Sequence, residues 1–161
     1  MAIARINHPR MFGSAVIPTI GGGIEDASEA WVEGGVLVAH ANGDIEEAGN
    51  GAITAILGLA LHDATGVTGD PVEFIPALPG LIFEATLDDQ SSSPHTSVQG
   101  DLYGLYGIYQ EAATGFFYID VNTANSVVVI RFVDPVGTVQ ARVDCMFLPS
   151  ATAFDLRDDG D

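Results

Sequence analysis

Val127-Val128-Val129-Ile130-Arg131-Phe132-Val133-Asp134-Pro135-Val136-Gly137-Thr138-Val139-Gln140-Ala141-Arg142-Val143-Asp144-Cys145-Met146-Phe147 is the stretch that decides the fold. Asp at the first position, Pro at the second and Gly at the fourth suit a type I turn over 134–137, because Pro presets φ and Gly relaxes the exit. The reading is an antiparallel hairpin. Pairing Val133 with Thr138 puts Val128, Ile130 and Phe132 on one face with Val139, Ala141 and Val143. Arg131, Gln140, Arg142 and Asp144 fall on the other. Such a hairpin builds a surface. It presents no nucleophile, ligand set or phosphate loop, so the expectation is that this chain is not an enzyme.

Outward from the hairpin, short apolar runs alternate with turn signals. Residues 36–39 precede Asn42-Gly43-Asp44, a strong hairpin signal. Residues 53–61 are apolar on nearly both faces and read as a central strand. Residues 72–75 follow Gly69-Asp70-Pro71. In 81–87, Leu81, Phe83 and Ala85 alternate with Ile82, Glu84 and Thr86, and 116–121 alternate again. Leu102, Leu105, Tyr106 and Tyr109 have helical spacing interrupted by Gly104 and Gly107, which fits a short helix or a strand equally. Ser91-Ser92-Ser93-Pro94-His95 reads as a loop tip. Roughly seven to nine short strands with Gly, Pro and Asn between them predict an all-β fold. The expected form is a single compact β-sandwich or small barrel of the β-tulip or jelly-roll kind, covering 34–150.

The ends differ from this body. Residues 1–33 carry Arg5, Arg10, Pro9, Pro18 and Gly21-Gly22-Gly23, punctuation that denies long periodicity. They read as an extended N-terminal arm, with one helical turn at most over 25–29. Ile3, Ile6, Met11, Phe12, Val16, Ile17 and Trp31 are its apolar footholds, and Arg5 and Arg10 its charges. These nine are the candidate partner-binding residues. Residues 151–161 read as a solvated acidic tail, since Asp155, Asp158, Asp159 and Asp161 lack the alternate-position ligands and closing Glu of a calcium loop.

Composition narrows the function further. In 161 residues, 47% are hydrophobic, enough for a core. Acids outnumber bases 22 to 5, giving −17 and a pI near 4.1, and the bases are all Arg. Nucleic acid and anionic lipid both need a basic patch, so neither is an expected partner. No basic n-region with an apolar run and no membrane-length apolar stretch is present, so a soluble chain without an address is expected. Cys145 stands alone on an apolar strand face, which predicts a buried, inert thiol.

Residues that could carry chemistry are scattered. His8, His40, His62 and His95 form no local ligand motif, and no cofactor or metal is expected. His62-Asp63 resembles an oriented base but lacks a nucleophile elbow. Glu46-Glu47 and Asp88-Asp89 are neighbours that a strand would point to opposite faces. Tyr103, Tyr106, Tyr109, Phe116, Phe117 and Tyr118 make an aromatic-dense region, either core packing or a platform for sugars or a protein.

Three segments carry a resemblance. They are Ile56-Leu57-Gly58-Leu59-Ala60-Leu61-His62-Asp63-Ala64, the run Gly69-Asp70-Pro71-Val72-Glu73-Phe74-Ile75-Pro76-Ala77-Leu78-Pro79-Gly80-Leu81-Ile82-Phe83-Glu84, and Phe132-Val133-Asp134-Pro135-Val136-Gly137-Thr138-Val139. Over roughly 34–150 the chain resembles capsid cement or decoration proteins of tailed bacteriophages. The resemblance implies a viral structural protein on the outer surface of the virion head, made in the host cytoplasm. It implies the major capsid protein as partner and a homo-oligomer, a trimer ahead of a dimer. It carries across no catalytic residue. Two other readings stay open: a virion-surface module that binds glycans or host, and a small hydrolase on a barrel or cupin-like fold.

Overall fold

The computed structural model describes residues 7–10, 19–49, 53, 55–78, 80–90, 94–123 and 125–154. The protein is all-β, with two single-turn 3-10 segments, Gln99–Asp101 and Pro149–Ala151. Eleven strands are described: β1 (Asn7–Arg10), β2 (Ile20–Ile24), β3 (Val36–Ala39), β4 (Ile45–Glu47), β5 (Ile56–Ala60), β6 (Pro71–Pro76), β7 (Ile82–Asp88), β8 (Leu105–Glu111), β9 (Phe116–Asp120), β10 (Val127–Phe132) and β11 (Arg142–Phe147). Among the described residues no helix is long and apolar enough to cross a membrane.

Five of these strands close on themselves. The order β7-β11-β10-β8-β9 returns to β7 through a parallel pairing, Leu87 with Ile119 and Asp88 with Asp120. β1 pairs with the earlier part of β7. The second sheet runs β2-β6-β5-β3-β4, and its two edges meet at a single bridge between Glu25 and Ile45. Closure removes the unpaired edges on which another chain could template.

One core joins both sheets. Val36, Val38, Ile56, Leu59 and Ile75 pack in one cluster with Phe83, Leu87, Ile108, Phe117, Ile119, Val129, Val143, Cys145 and Phe147. Phe83 and Phe147 meet edge to face at 5.1 Å. The opposite face of the second sheet buries Trp31, Leu37, Ile45, Ala60, Val72 and Phe74. Strand β5 serves both clusters because its register with β3 slips by one residue at Leu57, so Ile56 and Leu59, three apart, face the same way. Gly58 makes this possible: a Cβ there would lie 1.9 Å from the Ile75 carbonyl oxygen.

The hairpin forms, with a different register. Phe132 pairs with Val143 and Val127 with Phe147, and a bulge falls between Val129 and Arg131. The inward residues of β10 are therefore Val127 and Val129 rather than Val128 and Ile130, while Phe132 packs partly against the core. The competing partner is the 95–97 segment. Ser97 N donates to Thr138 O, Gly137 N to Ser97 O and Gln140 N to His95 O, and Thr96 bridges Val139. These contacts take 137–140 away from β10 and lengthen the connection.

Alternation on β7 predicted Glu84 and Thr86 in water, yet all seven residues are buried. The strand is flanked on both edges, and Arg142 Nη1 reaches Glu84 Oε1 at 3.4 Å. Glu84 faces Asp144 on β11, and Asp144 faces Arg131 on β10, whose Nε donates to Asp144 Oδ2 at 2.7 Å. Two of the five arginines thus neutralise carboxylates buried on the barrel wall. The segment with helical spacing is strand β8.

The domain reaches further at both ends than 34–150. Strand β2 pairs with β6, Glu25 is buried at the seam, and Trp31 is core, so residues 20–33 belong to the body. Two-faced burial of Trp31 and Glu25 outweighs the glycines that suggested an arm. At the other end Ala151 and Thr152 are buried and Thr152 bridges Ile56. The acidic stretch 155–161 lies outside the described residues, as do 1–6 and 11–18 of the expected arm.

Candidate functional site

Three aspartates organise one side of the barrel. Asp88 ends β7 and Asp120 ends β9, side by side through the parallel pairing; Asp101 closes the first 3-10 turn. All three are buried. Asp88 accepts from Tyr109 Oη at 2.9 Å, Gln140 Nε2 at 2.8 Å and Asp89 N at 2.9 Å. Asp120 accepts from Gln90 Nε2 at 2.6 Å, Asn122 N at 2.9 Å and Thr123 Oγ1 at 3.0 Å. Asp101 accepts from Val98 N at 2.8 Å, Tyr106 Oη at 3.0 Å and His95 Nε2 at 2.9 Å. An ionised carboxylate only accepts, so His95 Nε2 carries its proton toward Asp101.

Each of these six carboxylate oxygens is engaged by a protein donor. They hold the surrounding loops in place. Burial first, then Asp101, pushes the Tyr106 hydroxyl up to about 12, and burial with Glu111 and Asp88 pushes Tyr118 to about 12. Tyr109 is raised further by burial and Asp88. These phenols are fixed donors or neutral core rings at any ordinary pH.

What the Asp101 hub presents is Tyr103. Its side chain is in water at 72% exposure, and its φ of 65° lies in the left-handed region, costly for an aromatic residue. Tyr103 N donates to Val129 O at 2.8 Å, Gly104 N to Asp101 O at 3.0 Å and Val129 N to Gly104 O at 3.1 Å, so both sides of the residue are tied down. Gly104 is required, since a Cβ there would lie 2.4 Å from the Tyr106 ring. Val98 and Leu105 on the same segment are about half exposed, as are Val136 and Val139 on the loop hydrogen-bonded to it. Tyr103 and these four aliphatic side chains are thus exposed apolar groups on two segments tied to each other by backbone hydrogen bonds.

The residues singled out from sequence have other placements. Ile3, Arg5, Ile6, Met11, Phe12, Val16 and Ile17 lie outside the described residues. Arg10 ends β1, in register with Ile82. Trp31 is 3% exposed and its Nε1 donates to His62 O at 3.1 Å, so it is a core residue and offers a partner no surface. His62 and Asp63 do not form a dyad: His62 Nε2 sits 3.6 Å from Glu73, and Asp63 Oδ1 takes Glu33 N at 2.7 Å. The aromatic-dense region is mostly core, with Tyr109 and Tyr118 stacked at 5.4 Å and Phe117 buried; Tyr103 alone of those six is largely in water. Cys145 is buried, and burial raises its thiol to about 12, an inert group.

Sequence reading placed Tyr103 in the aromatic-dense region and Leu105 in the helically spaced set without setting either apart, and it passed over Val98. Neither a left-handed φ nor the pairing that exposes them leaves a periodic trace. The acidic Gly-Asp before Leu102-Tyr103-Gly104 was the available signal, a turn that an aspartate could cap. The depression lined by Val32, Glu33, Gly34, Gly35, Gly115, Phe116 and Phe117 encloses about 160 Å³, counting space open to solvent, and carries no cluster of catalytic groups. No protein-family model and no curated protein sequence matches the chain.

Proposed function

We propose that this protein is a non-catalytic attachment module: a capsid decoration protein that binds the outer surface of a tailed-phage head and clamps neighbouring capsomers. The observation that carries the reading is Tyr103, an exposed aromatic held in a strained backbone by the buried Asp101 hub. Strain of that kind persists where the surroundings over-determine it, and such positions cluster at binding and switch sites. The resemblance of 34–150 to cement proteins and a charge that shuns nucleic acid support the same reading.

Mechanically, a clamp adds free energy that shell opening must overcome. Each contact need not be strong, because copies fixed around a capsomer joint raise one another's effective concentration. The contact on this surface is apolar and aromatic, so attachment should persist as salt rises, when exposed ion pairs are screened over about 8–10 Å.

The experiment is co-sedimentation of the purified chain with phage heads stripped of their decoration layer, alongside Tyr103→Ala and Leu105→Ser. Saturable binding by the wild type, weakened at least about tenfold by Tyr103→Ala, supports the reading. Heads that take up no protein sink the capsid assignment. Equal binding by both variants moves the contact away from this loop, and a glycan-array signal lost in Tyr103→Ala makes the module a sugar reader.

A further inference from the structure

The second sheet closes at one point, and a cluster of a different chemistry lies beside it. Glu25 and Asp26 leave β2 and meet β4: Glu25 bridges Ile45, and Asp26 N donates to Ile45 O at 3.0 Å. On the other side of the seam the β3–β4 turn brings His40 next to Glu46. We propose that this seam binds one divalent transition-metal cation of the zinc class, through Nδ1 of His40 and one carboxylate oxygen each from Asp26 and Glu46.

Geometry is the first warrant. The three donor atoms lie within 4.8 Å of one another. His40 Nδ1 and Asp26 Oδ2 are 3.4 Å apart, long for a hydrogen bond. Two ligands at about 2.0–2.1 Å from a tetrahedral zinc stand about 3.3 Å apart, so this pair already has the spacing of one tetrahedral edge. Glu46 closes onto both by a side-chain adjustment of about 1 Å or a little more.

The second warrant is that the backbone under Asp26 and His40 is fixed without the metal. Asp26 follows Glu25, which is 1% exposed and whose carboxylate takes Gly66 N at 2.6 Å, Thr65 N at 3.0 Å and Thr65 Oγ1 at 3.1 Å. His40 N donates to Asp44 O at 2.8 Å and Gly43 N to His40 O at 2.9 Å, setting the turn. The remaining neighbours of the imidazole are Asn42, whose Oδ1 is 3.0 Å from Nδ1, and Asp44, bonded to Asn42. Asn42 Oδ1 therefore competes for Nδ1 in the metal-free chain.

Ligand chemistry selects the class. One imidazole with two carboxylates and no thiolate suits zinc, manganese, cobalt or nickel, while calcium and magnesium prefer all-oxygen sets. The imidazole distinguishes this cluster from the chain's many acidic pairs. The cation takes the unprotonated Nδ1, so protons compete with it for the site. The role is a staple: the cation ties β2 to β4 where the sheet otherwise closes through one bridge. This site is independent of the decoration reading.

The test is zinc binding by calorimetry on the full chain, wild type against His40→Ala, Asp26→Asn, Glu46→Gln and His62→Ala, with excess magnesium to occupy diffuse sites. His62 beside Glu73 is the control, an exposed histidine–carboxylate pair without a third ligand. Expected is one zinc per chain, affinity lowered at least about tenfold in the first three variants and unchanged in His62→Ala. On the wild type, manganese should broaden the His40 imidazole resonances before those of His62, a readout that needs no variant to fold. Zinc uptake equal in wild type and His40→Ala, uptake abolished by magnesium, or none at millimolar zinc would each overturn the site.

Discussion

Removing the Asp101 carboxylate should weaken the whole domain and loosen one loop more than the rest. Asp101→Ala deprives three donors of their acceptor: Tyr106 Oη, His95 Nε2 and Val98 N. A buried donor left without a partner costs about 1–3 kcal/mol. The Tyr106 hydroxyl takes a cost near the middle of that range. The His95 side chain is 18% exposed and Val98 sits at the surface, so water recovers part of theirs. The total is about 3 kcal/mol, a large share of the 5–15 kcal/mol usual for a domain. It should lower Tm by about 6–12 °C. Urea unfolding with unchanged m measures it, and the cycle with Tyr106→Phe should return a coupling of about 1–2 kcal/mol. Hydrogen exchange supplies the local half: the Tyr103 and Val129 amides, bonded across the loop base, should lose protection before those of β7 and β11. A loss below about 0.5 kcal/mol, or uniform protection changes, would refute the hub.

Other perturbations follow from the same geometry. Phe147→Ala, 4% exposed and against Phe83, should cost about 3–5 kcal/mol in denaturant unfolding. Tyr103→Gly relieves the left-handed backbone and should leave Tm unchanged or higher while lowering attachment to heads; a fall in Tm of several degrees would mean the ring packs on the body. Tyr106 and Tyr118 have folded pKa values raised to about 12, above the ordinary phenol. Their stabilisation is complete below pH 10 and is lost as pH rises from about 10 through 12, so in a Tyr103→Phe variant, which removes the exposed phenol, phenolate absorbance should appear together with unfolding rather than before it. Gly58→Ala should leave little soluble protein, since the new Cβ meets the Ile75 carbonyl.

Local chemistry was legible where the chain answers to its neighbours in sequence. Asn42-Gly43-Asp44 turns β3 into β4, residues 56–60 form a strand buried on both faces, and Cys145 is sealed in the core. The hairpin was legible as a hairpin. Its register was not, because Thr138 and Gln140 bond to 95–97, some forty residues away. Glu84 and Asp144 read as solvent-facing by alternation, and only the register across β7, β11 and β10 reveals that Arg142 and Arg131 cover them. The glycines of 21–23 argued for an arm, whereas β2 tolerates them as an edge strand whose partner is β6. The Tyr103 loop was legible only as part of an aromatic-dense region: what sets Tyr103 apart is a backbone angle and hydrogen bonds to β10, neither written in its own neighbourhood.

The pairing of β1 with β7 and of β2 with β6 also sets a timetable for synthesis. Arg10 leaves the ribosome roughly seventy residues ahead of Ile82, its partner, and at about 5–20 residues per second it waits about 4–15 s. Ile20 waits for Phe74 in the same way. For those seconds the first two strands are nascent chain without a sheet to join, which favours late, cooperative docking over stepwise growth from the N-terminus. A stalled-ribosome series should show protease-resistant β1 appearing only once β7 has emerged.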